Sequence, residues 1–269
     1  MSATEPYEIT AKHYDSAYAV KLDLVDLPFY LDLAKRSGGP VLEVACGTGR
    51  ILLPIARAGI EIHGVDNSAP MLRVLASHIQ NEPDDVRRLI TLHQGDMRHF
   101  RLPGKYPLVI IPFRPMQHMY TLDDQLSALS TAALHLRDAG TLAFDVFFPK
   151  FGLLEKGIGE EAKEMEWPVA GSNPPRIVRR FFRKDFVDKI HQVFHFTFIF
   201  RTYEGEKLIL EESEPFSLSY YTYPHLCALF LLAGLEVVEE YGSFARAPLD
   251  NSAAEMIFLL RKSHAAAQK

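Results

Sequence analysis

The sequence predicts an α/β protein with a parallel β-sheet that has helices on both faces. Between Val41 and Phe148, short apolar segments alternate with segments of helical periodicity, and turn residues separate them. This alternation is typical of parallel sheets, because a connection between parallel strands usually crosses one face of the sheet as a helix. After Pro149 the alternation stops, and strand-like segments follow one another directly. We therefore expect an antiparallel insertion in the second half of the chain.

The first half divides into strands and helices in a regular order. The strand segments are "VLEVA", "EIHGVD", "LITLHQGD", "LVIIPF" and "TLAFDVFF". The segment "RILLPIARAG" is predicted to be a helix that ends at Gly59, since glycine commonly follows the last helical turn. Ser68 is a favourable cap for the next helix, which has Pro70 in its first turn. A further helix is expected from about Asp123 to Arg137.

The second half is predicted to be mainly antiparallel. "EEAKEMEWPVAGSNPP" has the polar, proline- and glycine-containing composition of a connection. Three strand segments follow, with turns expected at Val187–Asp188 and Glu204–Gly205. A helix from about Pro224 to Ala233 precedes the segments "LEVVEEYG" and "EMIFLLRK". These two segments are expected to complete the main sheet.

The three strand segments are predicted to form a meander, and its middle strand, "KIHQVFHFTFIFRTYEG", carries phenylalanines on one face and histidines on the other. Four phenylalanines alternate along one face, which indicates a buried core: Phe194, Phe196, Phe198 and Phe200. On a strand, His191 and His195 stand about 13 Å apart, too far for one metal ion, so no metal site is predicted. The preceding segment carries basic residues that are expected to line a solvated strand edge, with binding of an acidic acceptor as the alternative: Arg176, Arg179, Arg180, Arg183 and Lys184.

Composition excludes several classes of protein. The 269 residues carry a net charge of −5 and a pI near 6.1, so no overall positive field attracts nucleic acid or anionic lipid. Two cysteines are too few for a disulfide framework and suit a reducing cytosol. The start "MSATEPYEIT" does not resemble a signal peptide, and the apolar run "LCALFLLAGL" is about half of a membrane span. We expect a cytoplasmic monomer or homodimer without nucleic-acid or membrane partners.

The stretch "VLEVACGTGR" predicts a nucleotide-binding loop, since it places glycines directly after a strand. A phosphate-binding P-loop requires Gly-Lys-Ser/Thr, whereas this loop continues as Gly49-Arg50-Ile51. A dinucleotide site requires a third glycine where this chain has Leu52. Asp66 ends the second strand, seventeen residues after Gly49, and is well placed to accept hydrogen bonds from ribose. A nucleoside without pyrophosphate fits this pattern.

Three motifs in register carry a resemblance to a known family. Glu43-x-x-Cys46-Gly47-Thr48-Gly49, then Asp66, then Gly95-Asp96-Met97 strongly resemble the class I S-adenosylmethionine (SAM)-dependent methyltransferases, in particular those that act on small molecules. The resemblance implies a Rossmann-like, seven-stranded and mostly parallel sheet, here with an antiparallel β insertion. It also implies SAM as the methyl donor, S-adenosylhomocysteine as the product and a small-molecule acceptor.

The same resemblance assigns roles to individual residues. The loop from Gly47 to Gly49 lies against the methionine part of SAM, and Asp66 binds the ribose. Asp96 accepts from the adenine amino group, the backbone of Met97 meets the ring, and Glu43 orders the loop. The full predicted cofactor-binding set is Tyr14, Glu43, Ala45, Cys46, Gly47, Thr48, Gly49, Asp66, Asn67, Met71, Asp96, Met97 and Phe113.

Candidates for catalysis come from two further matches to the family. Tyr14-Asp15 matches an N-terminal "YD" whose tyrosine closes over SAM, and "FRPMQHM" follows the fourth strand, where relatives commonly carry a polar residue and a histidine. The predicted catalytic residues are therefore His118, Tyr14 and Arg114, although many relatives have Asn, Asp or Ser in place of Arg114. "IPFRP" does not match the Asn/Asp-Pro-Pro-Tyr of enzymes that methylate nucleic-acid bases or protein amides.

These interpretations give a four-part organisation. Residues 1–40 are predicted as N-terminal cover helices, 41–149 as the SAM-binding core, 150–223 as a substrate-covering insertion and 224–269 as the last helix and two core strands. Two alternatives stay open. The chain binds SAM or its product without catalysis, or it is an NAD-dependent oxidoreductase, which the leucine in place of the third glycine disfavours.

Overall fold

The computed structural model describes residues 7–19 and 25–263, which divide into two compact units. One unit contains residues 7–19 and 150–219, and the other contains residues 25–149 and 220–263. Residues 25–40 thus belong to the unit that holds the glycine loop, whereas the predicted cover included them. The predicted four-part organisation is a functional division and stays a prediction.

The elements of the larger unit, which we call the sheet unit, follow the predicted order. Its first part contains α2 (Asp26–Ser37), β1 (Val41–Val44), α3 (Leu52–Arg57), β2 (Ile62–Asp66), α4 (Ala69–Gln80), α5 (Asp84–Arg87), β3 (Ile90–Gln94), β4 (Tyr106–Ile111), α6 (Leu122–His135) and β5 (Leu136–Phe147). Its last part contains α8 (Tyr223–Leu232), β10 (Leu235–Tyr241) and β11 (Glu255–Lys262). A 3₁₀ helix spans Pro115–His118. The Ser68 cap is confirmed, since its Oγ accepts from the Met71 N–H at 3.4 Å.

The seven strands form one sheet in the order β10-β11-β5-β4-β1-β2-β3. β1 pairs in parallel with β2 and β4, and β11 pairs antiparallel with β5 and β10. The predicted fold class is confirmed, including the two last strands. Strand order reverses between β1 and β4, and ligands of open α/β sheets bind at such a reversal, beyond the carboxyl ends of the strands.

Two buried clusters cover the two faces of this sheet. One contains residues of α6 and α8 with Phe144, Met256 and Phe258, and the other contains residues of α2, α3 and α4 with Ile110 and Ile257. The helices therefore lie on both faces, as the alternation predicts. Within the described ranges, no helix combines the length and apolar character needed to cross a bilayer.

The second unit, which we call the antiparallel unit, is built on a four-stranded sheet. It contains α1 (Glu8–Ala19), α7 (Phe151–Leu154), β6 (Glu161–Pro168), β7 (Arg176–Asp188), β8 (Val193–Glu204) and β9 (Lys207–Ser219), with strand order β6-β7-β8-β9. The predicted meander is confirmed, but the predicted position of its first turn is wrong. The first turn lies at residues 189–192, where the Asp188 carboxylate accepts from the backbone N–H groups of Ile190 and His191. The second turn, at Gly205, is where the sequence places it.

The polar segment predicted as a connection contains strand β6. It is an edge strand on which Trp167 is buried, while most other side chains are exposed. Such a strand has no continuous apolar alternation, which explains why the pattern reads as a connection. Because β6 covers β7, the basic residues of β7 do not line a sheet edge, and that prediction is wrong. Arg180 is buried, with its Nε 3.0 Å from Glu164 Oε2 and its guanidinium 4.3 Å from the Phe198 ring centre.

Helix α1 packs against this sheet through polar and aromatic contacts. The Glu214 carboxylate on β9 accepts from the Thr10 N–H at 2.9 Å and from the Thr10 hydroxyl at 2.5 Å. The His13 ring stacks on Phe200 with centroids 4.7 Å apart, and burial lowers the pKa of His13. Phe196 and Phe200 are buried, whereas Phe194 and Phe198 are half-buried, so the predicted core on this face of β8 is confirmed for two of the four phenylalanines.

Candidate active site

The glycine loop follows β1 at the carboxyl edge of the sheet. Gly47 and Gly49 adopt left-handed φ values of +55° and +89°, and Ala45 adopts +59°. A Cβ on Gly49 would lie 2.3 Å from Leu75 Cδ1, so packing beneath the loop requires glycine there. A Cβ on Gly47 would have no atom within 4 Å. The backbone of Gly47 is therefore open to close approach by a ligand.

Asp66 connects this loop to the end of β2. Its Oδ2 accepts from the Gly47 N–H and its Oδ1 from the Ser68 N–H, both at 2.8 Å. Burial raises the pKa of Asp66, and the hydrogen bonds from Ser68 and Gly47 lower it in part. A carboxylate has about four acceptor positions, so the backbone bonds from Gly47, Ser68 and Asn67 leave capacity for a ribose hydroxyl.

Glu43 lies on β1 directly below the loop. Its side chain is buried, and its Oε2 atom has no hydrogen-bond partner among the described residues. Burial raises the pKa of Glu43 well above its ordinary range, and the charge of Arg50 opposes that shift. A buried polar atom without a partner is uncommon in proteins and marks a position where a donor group fits.

Leu52 and Gly64 explain why the loop is not of the dinucleotide type. Leu52 is fully buried at the start of α3, and a Cβ on Gly64 of β2 would lie 2.6 Å from Leu52 Cδ1. In the dinucleotide fingerprint the glycine that permits close packing is on the helix. Here the glycine is on the strand and the helix carries the large side chain.

Asp96 follows β3 and is engaged by a neighbour. The Arg98 Nε lies 2.9 Å from its Oδ1, and the Arg98 Nη1 lies 2.9 Å from Asp124 Oδ1. The hydrogen bonds from Arg98 hold the pKa of Asp96 below its usual range. Met97 and Met71 are buried, whereas Asn67 is exposed. The predicted contact of Asp96 with adenine stays a prediction.

The loop has further support that the sequence did not reveal. His78 Nδ1 on α4 lies 3.1 Å from the backbone oxygen of Thr48. Thr48 and Cys46 are both buried, and burial raises the pKa of the Cys46 thiol. The interpretation of Cys46 as a small buried residue is confirmed.

The turn after β4 has an unusual backbone. Phe113 and Arg114 are consecutive residues with φ values of +68° and +69°, a conformation that side chains disfavour. The Arg114 guanidinium pairs with Glu255 of β11 through Nε and Nη2 and lies 6.0 Å from the ring centre of Phe113 and 5.9 Å from that of Phe147. Arg114 is thus an ion-paired residue at the carboxyl edge, and its predicted catalytic role stays untested.

The 3₁₀ helix Pro115–His118 follows this turn and is anchored from two directions. The Tyr221 hydroxyl donates to the Met116 backbone oxygen at 2.6 Å, and the buried Gln117 Oε1 accepts from the Phe147 N–H at 3.1 Å. His118 is the last residue of this helix and is half-buried. The structure thus places the predicted base on a fixed segment at the ligand edge of the sheet.

Helix α2 contributes residues that the sequence did not indicate as functional. Asp26 binds the Arg50 guanidinium with both oxygens, at 2.7 and 2.6 Å, and Arg50 lies 4.6 Å from the centre of the Phe113 ring. The Tyr30 hydroxyl donates to Asp145 Oδ1 at 2.6 Å. A signal for Asp145 existed, since it is the one acid within the apolar run "TLAFDVFF".

Two other predictions concern the antiparallel unit. Tyr14 is half-buried on α1, and its contact with the cofactor stays a prediction. His191 pairs with Asp188, and His195 Nδ1 lies 2.7 Å from the Ser217 hydroxyl. No group of three or more metal-ligating side chains occurs within residues 7–19 and 25–263.

Comparison with known proteins decides between the nucleotide classes. Residues 41–140 match the family model described as a methyltransferase domain. These residues therefore form a methyltransferase domain, in agreement with the resemblance to the class I SAM-dependent methyltransferases. Over 111 residues the chain is 32% identical to a dTDP-3-amino-3,4,6-trideoxy-α-D-glucopyranose N,N-dimethyltransferase of Streptomyces venezuelae. This alignment covers 41% of this chain and 44% of that relative.

Solved structures extend the likeness to nearly the whole chain. The CcbJ methyltransferase of Streptomyces caelestis has a TM-score of 0.78 at 23% identity and covers 96% of this chain and 97% of its own. SAM-bound CalS10, an amino pentose methyltransferase of Micromonospora echinaspora, has a TM-score of 0.67 at 20% identity. The alignment covers 91% of this chain and 95% of CalS10. At these identities the likeness shows the fold. The chain spans less than half the length of the curated relatives that it matches at above 30% identity.

Proposed function

We propose that this protein transfers a methyl group from SAM to an amine on a small molecule. The observation that carries the proposal is the arrangement at the carboxyl edge of the sheet. There, the backbone of Gly47 is open, the Asp66 carboxylate accepts from its N–H, and the Oε2 atom of Glu43, on the strand that leads into the loop, is buried without a partner among the described residues. All three belong to the sheet unit.

The residues present fit the methyl donor. The left-handed Gly47 permits close approach of a ligand to the backbone, as the methionine part of SAM requires. Asp66 has remaining acceptor positions for ribose hydroxyls, and Glu43 is proposed to keep the loop in its conformation. Met71, Met97 and Phe113 would bound the adenosine part, and Asp96 would accept from its amino group.

The choice of an amine over an oxygen or carbon acceptor is the finer part of the proposal. It is supported by the names of relatives, which act on amino sugars: an N,N-dimethyltransferase and an amino pentose methyltransferase. We assign acceptor selection to residues 150–223, because an insertion can vary while the donor-binding loop stays constant. The proposal retains a cytoplasmic monomer or homodimer with a small-molecule partner.

The main requirement of this reaction is that the protein align the acceptor with the methyl donor. The donor supplies a methyl group on a positively charged sulfur, which departs with the electron pair of the broken C–S bond as a neutral thioether. The chain must hold the nucleophile in line with that bond and exclude water. An ammonium must first lose a proton, and His118 is the proposed acceptor of that proton. Tyr14 is proposed to cover the donor, with its hydroxyl on the donor's carboxylate.

Two measurements test this proposal. Calorimetry with SAM and with S-adenosylhomocysteine, in the absence of metal and nicotinamide, should show binding of both. Incubation with SAM and a pool of amino sugars should release S-adenosylhomocysteine, with a mass gain on one amine. Binding without release in any amine, hydroxyl or carbon-acid pool would favour the alternative of a non-catalytic SAM-binding protein. Binding of NAD in place of SAM would overturn the proposal.

A further inference from the structure

The carboxyl group of Asp145 connects parts of the sheet unit that are far apart in the sequence. Asp145 lies near the end of β5 and is buried. Its Oδ1 atom accepts from the Tyr30 hydroxyl at 2.6 Å and from the Phe113 backbone N–H at 2.8 Å. One oxygen atom therefore links α2, β5 and the first residue of the left-handed turn after β4.

That turn needs support from its surroundings. Phe113 and Arg114 carry side chains in a backbone region that favours glycine. Residues held in such conformations persist only when neighbouring structure fixes them. The Phe113 amide is fixed by Asp145, and the turn leads directly into the 3₁₀ helix that ends at His118.

The ring of Phe113 is supported by the same helix that supports its amide. The Arg50 guanidinium lies 4.6 Å from the ring centre, and Asp26 holds that guanidinium with both carboxylate oxygens. Asp26 and Tyr30 are one helical turn apart on α2, and both are buried. Asp26 thus acts on the ring of Phe113 through Arg50. Tyr30, one turn later on α2, acts on the amide of Phe113 through Asp145.

We propose that Asp145, held by Tyr30, is a positioning residue that fixes Phe113 and thereby the place of Arg114–His118 at the edge of the sheet. Asp145 acts through the Phe113 amide and not by contact with the reacting atoms. This inference rests on the proposed function, because methyl transfer to an amine is what makes the place of His118 important.

Hydrogen exchange on the full chain without ligand tests the structural part. In Asp145→Ala, the Phe113 amide loses its acceptor and should exchange about tenfold faster or more. Asp145→Asn is the matched control, since its Oδ1 can accept from both Phe113 and Tyr30, and exchange should stay within about threefold of the wild type. Tyr30→Phe gives a second variant should the alanine protein not fold, and it should raise Phe113 exchange to an intermediate extent. Unchanged exchange in the alanine and phenylalanine variants, or equal acceleration in alanine and asparagine, would overturn the proposal.

Kinetics with SAM and the amino-sugar pool test the functional part. Misplacement of a reacting group by an ångström can reduce turnover by about a hundredfold, so Asp145→Ala should lower kcat per folded molecule by about tenfold or more. Asp145→Asn should restore most of that loss. If Asp145 only stabilised the fold, kcat per folded molecule would equal that of the wild type, and this result also overturns the proposal. A wild type that releases no S-adenosylhomocysteine refutes the proposed function, and the exchange result then decides the role of Asp145 alone.

Discussion

The Asp66 carboxylate and the Gly47 backbone N–H are joined by a hydrogen bond of 2.8 Å. Asp66 ends β2 and Gly47 lies in the loop after β1, so this bond fixes the loop to the neighbouring strand. The same carboxylate also caps the entrance to α4 through the Ser68 N–H. Asp66 therefore shapes the loop in addition to its proposed contact with ribose.

Substitution of Asp66 tests both roles. Asp66→Ala should weaken SAM binding, because hydrogen bonds to a carboxylate are each worth about 1.5–3 kcal/mol, or roughly ten- to hundredfold in affinity. Calorimetry measures the affinity, and urea unfolding measures the separate loss of stability. Asp250→Ala is the control, since the Asp250 side chain is exposed and accepts hydrogen bonds from the nearby Ser252. An unchanged SAM affinity in Asp66→Ala would remove Asp66 from the donor site.

Gly64 should tolerate no side chain. A Cβ there would lie 2.6 Å from Leu52 Cδ1 and 2.8 Å from Cys46 Sγ, so Gly64→Ala should destabilise the protein by about 1–3 kcal/mol. Gly104→Ala is the matched control, because the atoms nearest to its Cβ would belong to Tyr106 and lie at 3.4 Å or more, so its effect should be small. Urea unfolding of both variants gives the comparison. Equal stability of the two would show that Leu52 moves freely and that close packing of α3 on β2 is not required.

Much of the fold could be predicted from the sequence because it depends on local patterns. The strands of the main sheet are apolar, and their helices have recognisable caps, so their order was predictable. Strand β6 could not be recognised, since an edge strand that buries chiefly Trp167 has no apolar alternation. Because β6 was not recognised, the burial of Arg180 was not predicted either, since its partner Glu164 lies on β6.

The candidate site was predictable where a motif carries it and not where distant contacts build it. Glu43, Asp66 and Asp96 occupy fixed positions relative to the strands. The left-handed conformation of Phe113 and Arg114 opposes the local preference of both residues, so the sequence pattern does not predict it. The bond between Tyr30 and Asp145 joins residues 115 positions apart and depends on how α2 packs.

The stability of the wild type should depend on pH through Asp145. Burial raises the pKa of Asp145 to about 7, although the hydrogen bonds from Tyr30 and Phe113 and the charge of Arg114 oppose the shift, and Glu255 adds to it. The native state therefore binds this proton more tightly than the unfolded chain does. The associated stability is fully present below the unfolded pKa, near 4, and is lost as the pH rises through about 7.

Asp145→Asn removes this titration while it keeps the shape of the side chain. Its free energy of unfolding relative to the wild type should therefore improve from about pH 4 to pH 8, by on the order of 2–4 kcal/mol. Glu43 and Asp66 titrate in both proteins, so their contributions cancel in the difference. Urea unfolding at the two pH values measures it. A difference that is independent of pH would show that Asp145 keeps an ordinary pKa.

The docking of α1 should depend on Glu214 and not on charge in general. Glu214 accepts from the backbone N–H groups of Ile9 and Thr10 and from the Thr10 hydroxyl. Glu214→Ala should speed exchange of these two amides by about tenfold or more. Glu211→Ala on the same strand is the control, because Glu211 pairs with Arg201 of β8 and should leave α1 unaffected. Equal exchange in both variants would show that the other contacts of α1 suffice to hold the helix, namely the pairing of Lys12 and His13 with Glu212 and the burial of Ala17 beside Trp167.

His118 provides the sharpest test of an amine acceptor. An ammonium has no lone pair, so it must lose a proton before it can attack the methyl group, and a positioned base contributes about a hundredfold or more to such a step. His118→Asn keeps the size and polarity of the side chain but cannot take up a proton near neutral pH. We expect kcat/KM to fall by about a hundredfold near pH 7, with the deficit shrinking toward pH 9, where more of the amine is already deprotonated in solution.

His191→Asn is the control, since His191 lies on the exposed turn at residues 189–192 and should leave the rate unchanged. Release of S-adenosylhomocysteine, followed from about pH 6 to pH 9 with one amino sugar, gives both profiles. A His118→Asn enzyme with the wild-type rate and pH profile would place the base elsewhere. A uniform loss at every pH would instead assign His118 to alignment of the acceptor.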